Sequence, residues 1–211
     1  MLALVGAVGI AGWQAAVRWR PSPARYPLQG VDLPLDAPAL AWPAVRVAGA
    51  DFAYLDATAG TSGRAGAFEA NWAALPDAGL RRGAVHRFDA CGDGRAQADA
   101  FDAVVPRAAD ALPPALDIGA DGACRPDAVV REVERFAAAV EAHVGRPVIL
   151  RVGRAAERRW HVAAALNRPV WILGDFVAPG YAPRAWRLWR ATGWRRVEGI
   201  DRLLNWDVVA P

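Results

Sequence analysis

Leu112-Pro113-Pro114-Ala115-Leu116-Asp117-Ile118-Gly119-Ala120-Asp121-Gly122 is the stretch from which the fold can be read. Two prolines end whatever precedes them, a short apolar run follows, and the run delivers one carboxylate where small, permissive residues take over. This is the pattern of a buried strand that ends in a site. A parallel barrel presents its functional side chains at the C-terminal ends of its strands. Asp117 and position 119 lie two residues apart and so share one face. Position 119 is glycine. Taken alone, Asp117 is equally well a strand-end residue capping the next turn.

Outward from this strand the same rhythm repeats. Gly30-Val31-Asp32-Leu33 forms a short strand with a carboxylate near its end, and Trp42 to Val47 a brief helix. Phe52 to Leu55 is the next strand, followed by the loop Asp56-Ala57-Thr58-Ala59-Gly60. A helix from Phe68 to Ala78 stops at Gly79, Gly83 to Phe88 is a strand, and Ala96 to Val105 is a helix barred from continuing by Pro106. Pro126 to Val144 gives the clearest helical signal, with Val129, Val133, Phe136, Val140 and Val144 at steps of three and four. Pro147 to Val152 (strand), Glu157 to Leu166 (helix) and Val170 to Leu173 (strand) complete the alternation, which implies a parallel, barrel-like sheet. Trp186 to Arg190 and Leu203 to Val209 read as two final strands with no helix between them.

The composition suits one compact domain: 211 residues, 54% hydrophobic and 22% charged. All 25 basic residues are arginine, and the net charge is +3. No basic run or nucleic-acid motif accompanies that charge, so no nucleic-acid partner is expected. Neither a metal nor a cofactor signature is present. Cys91 and Cys124 follow neighbouring strands, so adjacent loops would bring them into a disulfide, which requires an oxidising compartment.

Leu2 to Val17 is apolar apart from Gln14 and precedes Arg18, Arg20, Pro21 and Pro23. Residues 1–20 therefore read as a retained signal anchor or transmembrane segment, residues 21–28 as a linker and residues 29–211 as the folded domain. The run is short for a full span, with Trp13 and Trp19 able to extend it into the interface. Arginines after the segment favour a cytoplasmic domain, whereas the expected disulfide favours export. The expectation adopted is an inner-membrane anchor with the domain in the periplasm or otherwise exported, and with basic residues upstream of the start.

From Tyr26 to Val209 the chain resembles the family 25 glycoside hydrolases, Chalaropsis-type lysozymes that cleave peptidoglycan between N-acetylmuramic acid and N-acetylglucosamine. Gly30-Val31-Asp32 resembles the family's opening Gly-Ile-Asp, and Ala57-Thr58-Ala59-Gly60 its Ala-Thr-Glu-Gly. Asn71-Trp72 matches an Asn-Trp pair, and Ala78-Gly79-Leu80 with Gly83-Ala84-Val85-His86 follows its Ala-Gly and Gly-Ala-Tyr-His. Leu112 to Asp117 and Gly199-Ile200-Asp201 continue the order. The resemblance implies an irregular TIM-like (β/α)5β3 barrel, here preceded by the N-terminal hydrophobic helix.

It also implies catalytic positions at Asp32 and Asp117, and there the chain departs from the family. The family's Asp-x-Glu is Asp117-Ile118-Gly119, so the general acid is missing, and its late Asp-Leu-Asn is Asn205-Trp206-Asp207. Pro34 and Leu35 stand where Ser-His-His is usual, and Arg190-Ala191 replace a Gln-Tyr pair. Glycosidases need two carboxyl groups with separate tasks. Losing acid assistance costs roughly a hundred- to ten-thousand-fold. Asp121, Asp56 or Asp89 could substitute as acid, although each also reads as a loop cap or solvated charge. Asp56, His86, Asp89 and Trp206 are the candidates for contact with substrate, His86 being equally a hydrogen-bonded packing residue, and Trp206 the best candidate for a pocket wall.

Three functions follow. The first is a membrane-anchored, monomeric domain that binds a peptidoglycan glycan strand with impaired hydrolysis. The second is an active muramidase with a relocated acid such as Asp121, and the third a protein-interaction module.

Overall fold

The computed structural model describes the backbone of residues 2–211 and the side chains of residues 9–211. Helix α1 (Leu2–Arg18) is followed by β1 (Gln29–Leu33), α2 (Trp42–Val47), β2 (Phe52–Ala59), β3 (Gly63–Arg64), α3 (Phe68–Asp77), β4 (Arg81–Phe88) and α4 (Gly94–Asp102). Then come β5 (Ala115–Ile118), α5 (Pro126–Val144), β6 (Ile149–Val152), α6 (Arg154–Trp160), α7 (Val162–Ala165), β7 (Val170–Leu173), β8 (Leu188–Arg196) and β9 (Leu203–Val209). The strand order β1-β9-β8-β7-β6-β5-β4-β2, closed by β1 against β2, is an eight-stranded barrel, and β3 is a hairpin appended to β2. Within the barrel, β1, β2 and β4 to β8 pair in parallel, while β9 runs antiparallel to both β8 and β1, as does β3 to β2. The expected (β/α)5β3 barrel is therefore the fold.

Strand alternation divides the core into two layers. Inside the barrel lie Phe52, Tyr54, Val85, Ala115, Ile149, Trp171 and Leu188. The larger layer, between strands and helices, includes Leu116, Ile118, Leu150, Phe136 and Trp72. Gly30 and Gly83 face inward beside two aromatic rings, and a β-carbon at either would come within 2.5 Å of Phe52 or Tyr54. Their lack of a side chain is what lets those rings fill the barrel.

Helix α5 forms where the periodicity predicts, burying Val129, Val133, Phe136, Ala137 and Val140, with Pro126 in its first turn and Gly145 left-handed (φ 69°) at its end. Helix α4 begins earlier than Ala96, because Asp93 Oδ1 caps the Ala96 N–H at 2.7 Å. Gly94 is required by the approach of α5: a β-carbon there would collide with the Glu132 carbonyl. The helix predicted over Glu157 to Leu166 is two helices, broken at His161 (φ 54°). Glu157 makes the break possible by accepting the Ala163 and Ala164 N–H groups at 2.9 and 3.0 Å.

Strand β2 continues to Ala59, past the predicted end at Leu55, because it keeps pairing with β4 and gains the β3 hairpin. Asp56 thus stands inside the barrel rather than in a loop. Strand β8 runs to Arg196, past the predicted Arg190. Residues 21–28, predicted as a linker, are held against the barrel: Pro21 and Tyr26 are buried, and Gln29 Nε2 donates to both of their carbonyls at 3.0 and 2.9 Å. Cys91 and Cys124 form a disulfide with their Cα atoms 5.5 Å apart, tying the loop after β4 to the loop after β5. Among the described residues no helix is long and apolar enough to cross a membrane. The first eight side chains of the expected anchor lie outside the described residues.

Candidate functional site

At the end of the barrel where the parallel strands finish, alternation points Asp32 (β1), Asp56 (β2), Asp117 (β5), Arg151 (β6), Arg190 (β8) and Asn205, near the start of the antiparallel β9, inward. Two pairs of these face each other by register: Asp32 opposite Asn205, and Asp117 opposite Arg151. Arg151 is the hub. Its Nη1 donates to Asp32 Oδ1 at 3.1 Å and its Nη2 to Asp56 Oδ1 at 2.9 Å. Its Nε lies 2.9 Å from Asp117 Oδ1, a charge contact whose N–H direction does not make a hydrogen bond. The guanidinium also sits 5.1 Å over the Trp171 ring, which forms the floor.

Arg190 grips Asp32 from the other side, through Nε to Oδ2 at 2.7 Å and Nη2 to Oδ1 at 2.6 Å. This is the bidentate fork that makes arginine–carboxylate pairs strong. Asn205 Nδ2 adds a third donor to Asp32 Oδ1 at 3.0 Å. Arg87, at the end of β4 and opposite Asp117 by register, is exposed at the mouth.

Electrostatics divides the carboxyl groups. Burial by itself would raise Asp32, but Arg190 and Arg151 outweigh it and hold the group below the ordinary carboxylate range. Asp56 is pushed up to about 6, chiefly by burial; Arg151 opposes the rise, and the charges of Asp32 and Asp117 add to it. Asp207, one layer deeper, is raised far above the usual range by burial and by Asp32. Its Oδ1 accepts the Trp171 N–H at 3.0 Å and its Oδ2 is buried without a partner, as suits a protonated acid inside the barrel.

The cluster has limited chemistry. Asp32 is ionised, but its oxygens are taken up by two arginines and an amide, so it cannot deliver a proton. Asp56 holds a proton to higher pH yet is 4% exposed and tied to Arg151. Asp117, with 24% of its side chain exposed, is the carboxylate nearest solvent. Position 119 offers no functional group: a β-carbon there would meet Asp121 Oδ2 at 3.8 Å and nothing closer. Asp121 is exposed on the rim beside it. Among the described residues no group of His, Cys, Asp and Glu is arranged to hold a metal ion.

Two expectations need correction, those for His86 and Trp206. His86 points outward from β4, not into the mouth: it is fully buried, 2.7 Å from Thr58 Oγ1 and 3.2 Å from Gln97 Oε1, and it stacks on Phe136. Burial lowers its pKa to about 4, so it is neutral packing. Trp206 is no pocket wall. In β9 it alternates with Asn205 and Asp207 and faces away from the barrel interior, fully buried, donating Nε1–H to Gln29 Oε1 at 2.7 Å. Asp89 caps its own loop, its Oδ1 accepting the Cys91 N–H at 3.0 Å.

The residue that sequence reasoning passed over is Arg151. Its signal was present in Val148-Ile149-Leu150-Arg151-Val152, since a charge in a strand buried on both faces requires a buried partner.

Residues 35–200 match the family model described as glycosyl hydrolases family 25. YegX of Escherichia coli K12, an uncharacterized protein, is 26% identical over 193 residues, covering 88% of this chain and 71% of its own. A family 25 glycosyl hydrolase from Bacillus anthracis superposes with a TM-score of 0.79 at 25% identity, covering 89% of this chain and 90% of that one. A bacterial lysozyme from Streptomyces coelicolor gives 0.77 at 27% identity, covering 87% and 92%.

Proposed function

Because the chain belongs to glycosyl hydrolases family 25, the family of lysozymes and muramidases, we propose that it is a peptidoglycan-directed domain that engages a glycan strand with hydrolysis impaired or lost. One observation carries this reading: the carboxylates left at the mouth are bound into an arginine network around Arg151, and the neighbouring position 119 is glycine. Cleavage needs one carboxyl group to protonate the leaving oxygen while a second stabilises the oxocarbenium-like centre. Asp32 is neutralised by two arginines, and Asp56 lies beneath Arg151. Without acid assistance the barrier rises by about 3 to 5 kcal/mol.

The same reading places the protein at the inner membrane, held by its N-terminal segment with the barrel in the periplasm, as a monomer. The Cys91–Cys124 disulfide supports an oxidising compartment. Purified peptidoglycan is the test, in two arms. Co-sedimentation with the insoluble wall, together with reducing-end release near background, is the expected outcome. Family-typical release overturns impairment; failure to sediment overturns glycan binding and leaves an interaction module.

A second reading, a muramidase with a relocated acid, is favoured by one distance. Asp121 Oδ2 lies 3.8 Å from where a side chain at 119 would start. Asp121→Asn abolishing a measurable wild-type rate would establish it.

A further inference from the structure

Seven large hydrophobic side chains are exposed among the described residues, and five of them, Ile10, Trp13, Phe176, Val177 and Trp194, belong to α1, β8 and the loop after β7. Trp13 of α1 packs edge-on against Trp194 of β8, with ring centroids 5.5 Å apart. Trp19 does the same to Phe176 at 5.1 Å. The loop after β7 is tied to β8 by Phe176 N–H to the Ala191 carbonyl at 2.7 Å and by Gly193 N–H to Asp175 Oδ1 at 3.0 Å. These contacts hold the aromatic side chains of α1, β8 and the loop after β7 on one side of the molecule. This patch lies along the C-terminal half of β8 and in the loop after β7, at the mouth end of the barrel, since Arg190 of the site is only four residues before Trp194.

Helix α1 leaves the domain here. A β-carbon added at Gly9 or Gly12 would meet nothing within 4 Å, so the helix projects clear of the barrel beyond Trp13. At its base the charge is positive: Arg18, Arg196 and Arg202 line a cleft of about 650 Å³ together with Glu198 and Asp201. Arg195 donates to the Arg18 carbonyl at this base, and Arg195 and Arg20 lie 5.5 and 5.9 Å from the Trp206 ring. Exposed tryptophans and an apolar helix with arginines at its base fit an anionic lipid surface.

We propose that α1 enters an anionic phospholipid bilayer and that the mouth end of the barrel lies on that bilayer through Trp13, Trp194, Phe176 and Val177, with headgroup phosphates taken up in the cleft of Arg18, Arg196 and Arg202. The proposal rests on the membrane-held reading above. Helix α1, 17 residues or about 26 Å long, is shorter than the bilayer core of about 30 Å. The patch supplies interfacial contacts that such a helix lacks by itself.

The test is hydrogen exchange on the full chain in nanodiscs of phosphatidylglycerol mixed with phosphatidylcholine, or of phosphatidylcholine alone. Amides of residues 174–178 and 192–197 are expected to exchange about tenfold or more slowly in the anionic discs. The triple variant Arg18→Glu/Arg196→Glu/Arg202→Glu should lose that slowing while α5 and β5 keep theirs, which shows that the barrel remains folded. A chain that stays out of the nanodisc overturns membrane attachment and this proposal together. An inserted chain whose two segments exchange alike in both lipids, or alike in wild type and variant, overturns the proposal and leaves attachment standing. Slowing seen only in discs holding two copies assigns the patch to self-association and also overturns it.

Discussion

Arg151 Nη1 lies 3.1 Å from Asp32 Oδ1 at the centre of the barrel mouth, with 3% and 1% of the two side chains exposed. A buried guanidinium is tolerable only where carboxylates surround it, and here Asp32, Asp56 and Asp117 at the mouth serve as its counter-charges. The cluster works as a structural unit. Removing Arg151 leaves its carboxylates without their shared cation in a low-dielectric interior.

Arg151→Met is therefore expected to lower stability by about 3–5 kcal/mol, the range for breaking a buried ion pair from one side. Arg190→Gln should cost about 1 kcal/mol, since Arg190 reaches solvent and Asp32 would keep Arg151 and Asn205. Urea unfolding at pH 7 compares the two; equal losses would mean that Arg151 is not the hub.

Restoring the acid should raise activity. Gly119→Glu has room for its side chain and would place a carboxyl group beside Asp121 and near Asp117, whose charges favour its protonated form. Asp32 would still be clamped, so the double variant Gly119→Glu/Arg190→Gln, with or without Asn205→Asp, should exceed Gly119→Glu alone in reducing-end release from peptidoglycan. The combined gain is bounded by roughly a hundred- to ten-thousand-fold. No gain in any combination would place the defect elsewhere at the mouth, such as at Pro34 and Leu35.

Asp56 should give stability a distinctive pH dependence. Its folded value of about 6 lies above the unfolded value, so the native state holds the extra proton between roughly pH 4 and 6. The stability this confers is present at low pH and is lost as pH rises through 6, a cost on the order of 3 kcal/mol by pH 7. Urea titrations of wild type and Asp56→Asn from pH 4 to 7 should show the variant gaining relative to wild type as pH rises. A relative loss would show that the ionised Asp56–Arg151 pair stabilises the fold.

Cys91→Ser/Cys124→Ser should cost about 3–4 kcal/mol by freeing a loop of 33 residues' separation in the unfolded chain. Reductant should destabilise wild type to the same extent and leave the variant unchanged. Protein taken from its host under non-reducing alkylation should carry no label at either cysteine.

Trp206→Phe should cost about 1–3 kcal/mol by leaving Gln29 Oε1 buried without its donor, with no change in wall binding. A selective loss of glycan binding would return Trp206 to the mouth.

The sequence by itself determined the βα alternation, the bounds of α2, α5, β7 and β9 and the pairing of the two cysteines. Each of these is a local or nearest-neighbour property: apolar spacing, a proline or glycine at an element's end, or one residue's chemistry. Tertiary structure decided which way side chains face and what they meet. Asp56 moved from loop to barrel interior because β2 kept pairing for four more residues, and His86 and Trp206 turned outward because strand parity, fixed by register, put them there. The Arg151–Asp32–Arg190 network joins residues 119 and 158 positions apart in the chain. Only closure of the barrel brings β1, β6 and β8 around one point, and at that point the charges of distant strands decide what each carboxylate can still do.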